Sequence, residues 1–300
     1  MMFLRSKASS STRPETVMPI PDPQTPGMNA SDSILVVKLG GASGNNPATF
    51  CADAARLVRA GRRLVIVHGG SDLTNQLSEQ LGHPARFITS PSGHTSRRTD
   101  LRTIEIMQMA CRGLLNQRLV SGLQALGVNA IGLSGVDGRI WEGDRKAAVR
   151  AVEEGRTVVI RDDYTGTVSR VNSNLLQTLL DAGYTPVLSP PAVSTSNETI
   201  NIDADRAAAV TAASLGASDL LLLTNVPGLL RRYPDEGTLI TRVPRHELDT
   251  ATGLAEGRMK KKILGASEAL SGGVRRVIIG DGRRDNPITS ALAGEGTTIE

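Results

Sequence analysis

Aromatic side chains make up only 2% of this 300-residue chain, and there are two cysteines. With so few rings, no basic stripe interleaved with aromatics can form, so a nucleic-acid binding surface is not expected. Cys51 and Cys111 form no C-x-x-C pair and each falls in an apolar helical pattern. Both are expected as core residues in a reducing compartment, taken to be the cytoplasm. No run approaches the ~18 apolar residues that a membrane-spanning helix needs. Neither the G-x-x-x-x-G-K-[ST] phosphate loop nor the G-x-G-x-x-G dinucleotide string occurs. What the chain does have is 39% hydrophobic residues and 31 glycines. Ala, Val, Ile and Leu therefore build the core, as buried parallel strands covered by helices require. The net charge of +4 permits an acidic partner.

The segment 34–45, ILVVKLGGASGN, reads as a buried strand running into a glycine-rich turn, with a helix starting near Pro47. Gly40 and Gly41 let backbone N–H groups approach an anion, and Lys38 adds a full positive charge beside them. RLVIVHGG repeats the pattern with Gly69 and Gly70 at its end. In an open parallel sheet, ligands bind beyond the carboxyl ends of the strands, so the two Gly-Gly ends can converge on one anion.

Before this core, residues 1–33 hold five of the fifteen prolines and no sustained periodicity. They are expected to be a disordered extension, with Met28 an alternative start. Beyond the second strand, FITSPSGHTSRRTD reads as a hairpin or lid closing on Asp100 as a helix N-cap. Ile104, Met107, Cys111 and Leu114 then carry one amphipathic helix to Gly127. VNAIGLSG is a third strand, and 145–172 reads as an inserted set of antiparallel hairpins. TPVLSPPAVS, DLLLLT and VRRVIIGD supply three further strands, with GTTIE a terminal one. Asp205 opens an Ala-rich helix, where the dipole favours a carboxylate. GRMKKK opens another.

Six motifs in register, KLGG at 38–41, HGG at 68–70, SRRTD at 96–100, NIDAD at 201–205, LTNVPGLL at 223–230 and GRMKKK at 257–262, resemble the amino acid kinase family. The resemblance covers nearly the whole chain from residue 34 onward and leans to the acetylglutamate kinase branch. It implies an α/β fold, a three-layer αβα sandwich on a central, mostly parallel sheet with a β-hairpin insertion. It divides the chain into an extension (1–33), an N-terminal lobe for substrate and dimerisation (34–192) and a C-terminal nucleotide lobe (193–300). The activity implied is ATP-dependent phosphorylation of a side-chain carboxylate, with Mg2+ carried by the ATP and no metal held by the protein itself. SPSG, SRRTD, DDYTG, LTNVPGLL and GRMKKK turn the resemblance toward the member that phosphorylates 2-aminoadipate held on an acidic amino-group carrier protein, in lysine biosynthesis. Free N-acetyl-L-glutamate, in arginine biosynthesis, and carrier-bound glutamate are the alternative substrates.

By that resemblance Lys38 and Lys262 stabilise the transferring phosphoryl group and Asp205 orients both. Gly69, Gly70, Arg97 and Asn201 bind substrate, Arg97 through a bidentate grip on the α-carboxylate. Gly40, Gly41, Thr224, Asn225, Gly228 and Lys262 line the nucleotide, with Asp219 and Tyr233 as further candidates. No general base is required, because a carboxylate is already ionised at neutral pH. His68 is accordingly read as a packed strand-end residue. Ser71 stands where the family usually has a third glycine. A homodimer is implied, and arginine feedback is not, since 1–33 is too proline-rich for the amphipathic helix it uses.

Overall fold

The computed structural model describes residues 33–300 except 42, 43, 92, 94, 154 and 256, so the expected extension, Met28 included, lies outside the described residues apart from Ser33. The chain opens with β1 (Leu35–Leu39), α1 (Pro47–Arg59), β2 (Leu64–His68) and α2 (Ser71–Gln80). A hairpin of β3 (Phe87–Thr89) and β4 (Thr95–Arg97) follows, then α3 (Leu101–Met107), a π-helix (Gln108–Asn116) and α4 (Gln117–Gln124). β5 (Ala130–Ser134) precedes β6 (Trp141–Arg145), β7 (Val149–Glu153), β8 (Arg156–Ile160) and β9 (Gly166–Val171). After α5 (Ser173–Asp181) come β10 (Thr185–Ser189), β11 (Ala192–Ser194), β12 (Thr199–Ile200), α6 (Ala204–Ser214) and β13 (Asp219–Thr224). β14 (Arg242–Val243), α7 (Leu248–Leu254), α8 (Gly257–Ser271), β15 (Arg276–Asp281), α9 (Pro287–Leu292) and β16 (Gly296–Ile299) complete the chain.

Eight strands form the central sheet in the order β14-β16-β15-β13-β1-β2-β10-β5. Every neighbouring pair is parallel except β15 with β16. β1, β2 and β13 are buried along their whole length, which is why they read as unbroken apolar runs instead of alternating ones. Alternate residues feed opposite faces. Val36, Val65, Val67, Leu220 and Leu222 pack with α5, α6 and α8, whereas Leu35, Val37, Leu39, Ile66 and Leu221 pack with α1, α4 and α9. The result is the expected three-layer sandwich. β1 lies between β2 and β13, so the chain leaves it in one direction and returns on the other side, making the carboxyl ends of β1 and β13 the topological switch point, where open parallel sheets bind ligands.

The inserted strands divide among smaller sheets. β12, β11, β6 and β9 form one, β7 with β8 a ribbon and β3 with β4 another. Ile88 of the β3–β4 ribbon packs with Ala151 and Ile160 of the β7–β8 ribbon in a satellite core. TPVLSPPAVS is not one strand: it divides at Pro190 and Pro191, which have no N–H for a ladder, and β11 joins the small sheet. The helix expected from Ile104 to Gly127 is likewise interrupted by the π-helix Gln108–Asn116. There Asn116 Nδ2 lies 2.9 Å from the Val187 carbonyl and 3.0 Å from His68 Nε2, supplying polar partners inside an apolar layer.

Candidate active site

Lys38 has the same parity as Val36, so its side chain leaves β1 on the face covered by α6 and α8. Asp203 caps α6, accepting from the N–H groups of residues 205 and 206, and thereby sets Asp205 in the first helical turn. On α8, Lys262 shares a face with the buried Ala266 and Ala269 and points back at α6. The three side chains meet: Asp205 Oδ1 is 2.7 Å from Lys38 Nζ and Oδ2 is 2.8 Å from Lys262 Nζ. All three are nearly buried, with side-chain exposures of 11%, 7% and 8%.

Burial alone would raise the Asp205 carboxyl, but the charges and hydrogen bonds of Lys262 and Lys38 hold it far below the usual carboxylate range. Lys262 is pushed below its ordinary value, first by burial and then by Lys38, against the pull of Asp205. Within the trio two cations face one anion, an arrangement that can take up a further anion.

The glycine turns supply its floor. A Cβ on Gly41 would lie 2.6 Å from the Gly70 nitrogen, so the two Gly-Gly turns touch backbone to backbone. Ser71 is accommodated as the first residue of α2, its hydroxyl 3.4 Å from the Gly41 carbonyl. Gly69 lies beside Ala204 at the start of α6. Arg97 donates to the Ser71 carbonyl at 3.2 Å and its guanidinium lies over Phe87. Asn201 donates to Thr99 Oγ1 at 3.0 Å, which puts it two residues along β4's exit from Arg97. The four expected substrate residues are therefore linked, Gly69 and Gly70 to Arg97 through Ser71 and Arg97 to Asn201 through Thr99.

On the other side, Gly40 donates to the Leu223 carbonyl and Thr224 ends β13 opposite Asp281. Asn225 is exposed beyond it. Gly228 is buried against β16, where a Cβ would meet Thr297 Oγ1 at 2.5 Å, so close packing accounts for its lack of a side chain. Asp219 is a correction: it sits at the amino end of β13, away from the crevice, bonded to Arg62 and Arg276. Tyr233 is exposed and outside this cluster. Among the described residues no three metal-ligating side chains are grouped, and no helix is long and apolar enough to cross a membrane.

His68 is fully buried, with Nδ1 2.8 Å from the Gly69 carbonyl and Nε2 facing Asn116. Burial first, then Lys38 and Arg112, push it down to about 4, so the ring is neutral at pH 7 and both its nitrogens are engaged, one at the Gly69 carbonyl and one at Asn116. Cys51 and Cys111 are both buried and free, each thiol pushed up to about 11 by burial. Cys111 lies directly behind Gly70. Sequence reasoning missed Asn116 and Asp163, a buried carboxylate behind Thr99, because each acts across more than sixty residues of chain. DDYTG carried a signal, two consecutive acids before an aromatic turn, without saying which one faces inward.

The profile of the amino acid kinase family matches residues 33–281. The LysW-aminoadipate kinase of Deinococcus radiodurans is 55% identical over 267 residues, 89% of this chain and 91% of that protein. The Thermus thermophilus protein of the same name is 53% identical over 268 residues, 89% of this chain and 100% of that one. Among solved structures, N-acetylglutamate synthase from Neisseria gonorrhoeae, complexed with coenzyme A and N-acetyl-glutamate, superposes with a TM-score of 0.72 at 28% identity. That match covers 89% of this chain, which spans 59% of the synthase. With the family profile over most of its length and relatives above half identity, the chain belongs to the amino acid kinase family.

Proposed function

We propose that this protein transfers the γ-phosphoryl group of ATP to the side-chain carboxylate of 2-aminoadipate carried through its amino group on an acidic carrier protein. The observation behind the chemistry is the Lys38–Asp205–Lys262 trio at the sheet's switch point, with its one uncompensated positive charge. The relatives' names supply the acceptor and the carrier.

The substrate carboxylate oxygen attacks the γ-phosphorus. The bond from that phosphorus to the β–γ bridging oxygen breaks, ADP leaves, and no proton moves. The barrier is repulsion between anions, so catalysis consists of positioning and charge stabilisation. Lys38 and Lys262 approach the transferring group from β1 and α8, while Asp205 keeps both ammonium groups aimed. Gly41, Gly69 and Gly70 bring main-chain N–H groups close, and the N-terminus of α2 adds its partial positive charge. Arg97 grips the α-carboxylate and Asn201 the linking amide. Gly40, Thr224, Asn225 and Gly228 shape the nucleotide side. Mg2+ accompanying the nucleotide would supply charge neutralisation at the phosphates, and Asp205 is already committed to two lysines.

We assign 34–192 to substrate and dimerisation and 193–300 to nucleotide. Leu101, Met109 and Leu114, apolar yet exposed along the α3 to α4 segment, give a second copy of the chain a surface to cover. The protein works in the cytoplasm, where its free thiols stay reduced. The test is hydroxamate trapping of the acyl phosphate with carrier-linked aminoadipate, carrier-linked glutamate and free N-acetylglutamate. Turnover with carrier-linked aminoadipate in preference to the others is expected, and turnover with free N-acetylglutamate alone would refute the reading.

A further inference from the structure

Asp163 is the buried carboxylate that phosphoryl transfer leaves unused. It is 1% exposed in the turn between β8 and β9. Its Oδ2 accepts the Thr99 N–H at 2.9 Å and its Oδ1 the Thr165 N–H at 2.8 Å. The neighbouring backbone continues the tie: Tyr164 N–H donates to the Thr99 carbonyl at 2.7 Å, and Asn201 N–H to the Tyr164 carbonyl at 2.8 Å. Thr99 Oγ1 donates to the Arg97 carbonyl at 3.2 Å while accepting from Asn201 Nδ2 at 3.0 Å. From outside, Arg145 locks the turn. Its Nε donates to the Asp163 carbonyl, Nη2 to the Arg161 carbonyl and Nη1 to Glu198, with the guanidinium 3.8 Å above the Tyr164 ring.

The two residues read as the substrate clamp thus come from different elements. Arg97 ends β4, a three-residue strand of an exposed hairpin; Asn201 precedes α6. Thr99, held by Asp163, bonds both the Arg97 carbonyl and the Asn201 side chain and so links the two. A carboxylate suits this place because each oxygen accepts one main-chain N–H, and hydrogen bonds to an ionised acceptor are about twice as strong as neutral ones.

We propose that Asp163 is a positioning residue for the substrate clamp, setting the Arg97 to Asn201 spacing and with it the acyl-chain length whose terminal carboxylate reaches the lysine pair. This rests on the reading of Arg97 and Asn201 as the clamp. Aminoadipate and glutamate differ by one methylene, and a misplacement of about 1 Å at a reacting atom is worth roughly a hundredfold in rate. A loosened clamp lets either chain settle, so discrimination falls before chemistry does.

The test uses the full-length protein and Asp163→Asn, which keeps the shape and replaces one acceptor oxygen by a donor. The expected result is an acyl-substrate KM raised about tenfold, the loss of one charged hydrogen bond, with kcat and the ATP KM close to wild type. The preference for carrier-linked aminoadipate over carrier-linked glutamate should narrow, and amide exchange at Thr99 and Thr165 should quicken. Thr99→Val leaves the N–H to Asp163 intact and removes only the hydroxyl to Asn201; it should reproduce the KM effect with Tm little changed. Unchanged exchange at Thr99 in Asp163→Asn overturns the proposal whatever the substrate. So does a fall in kcat with KM unaltered in both variants. If the wild type instead turns over free N-acetylglutamate, the substrate reading fails, and the clamp is judged by the same KM and kcat split on that compound.

Discussion

Asp205 balances only one of the two ammonium charges it touches, and in the proposed mechanism the transferring phosphoryl group joins Lys38 and Lys262. Removing one lysine should therefore act on the transition state. Lys262→Ala is expected to lower kcat by about a hundredfold or more with the ATP KM largely kept, as loss of a transition-state cation does; an unchanged kcat in steady-state assays would remove Lys262 from the chemistry. Because Lys262 is depressed, its proton is lost below the ordinary lysine value of 10.5. Between its native value and 10.5 the unfolded chain binds more protons, so turnover should fall with rising pH while stability rises. A pH series of kcat beside one of Tm reads both signs. His68 behaves as the acid-side counterpart. The unfolded ring takes up a proton below pH 6.5 and the native ring only below about 4, so stability drops as pH falls through that window. The loss is on the order of 3 kcal/mol, and His68→Gln should flatten the denaturation profile between those pH values.

At the scale of elements, two Gly-Gly turns meet where only glycine allows it. Gly41→Ala places a Cβ 2.6 Å from the Gly70 nitrogen and 2.8 Å from the Gly69 carbonyl carbon, all main chain that cannot swing aside. The turns must separate, and kcat/KM should fall at least tenfold, more than Tm suggests; full activity in Gly41→Ala would show that the turns are not the anion floor. The sequence made this pair legible because each Gly-Gly follows an unbroken buried strand. The π-helix was not legible. Ile104, Met107, Cys111 and Leu114 satisfy an α-helical spacing whichever way the backbone winds, and only Asn116's reach to His68 and the Val187 carbonyl selects the wider turn. Likewise β14, α7 and α9 are short elements in polar or mixed sequence, held respectively by β16 at the sheet edge, by packing on α8, and by Asp53, which accepts from the Ile288 and Thr289 N–H groups at the start of α9.

Across the whole molecule the sheet has two ends with different tasks. The carboxyl ends carry the crevice. The amino end is tied by Asp219, whose carboxylate bonds Arg62 from the approach to β2 and Arg276 of β15. Asp219→Asn should cost roughly 2 to 3 kcal/mol, less than a fully buried pair because both arginines keep some water contact, and leave kcat unchanged. Thermal denaturation and turnover, measured together, separate these effects; a large loss of kcat would place Asp219 in the site after all.

The buried strands, the Gly-Gly ends, the Asp100 and Asp205 helix starts and the trio Lys38, Asp205 and Lys262 followed from sequence, since apolar period, capping chemistry and motif order are local properties of the chain. The rest depends on distance in sequence. That Lys38 faces α6 follows from which layer Val36 joins, and that Asp163 faces Thr99 follows from a ribbon folded back on the lid. Asp219 looked like a ligand residue beside LTNVPGLL until the arginines were packed against it, and that Gly228 leaves room for Thr297 follows only from where β16 lies. A residue's type limits the chemistry open to it; the neighbours that desolvate it, charge it or hold its backbone come from other segments, and only the tertiary structure brings them there.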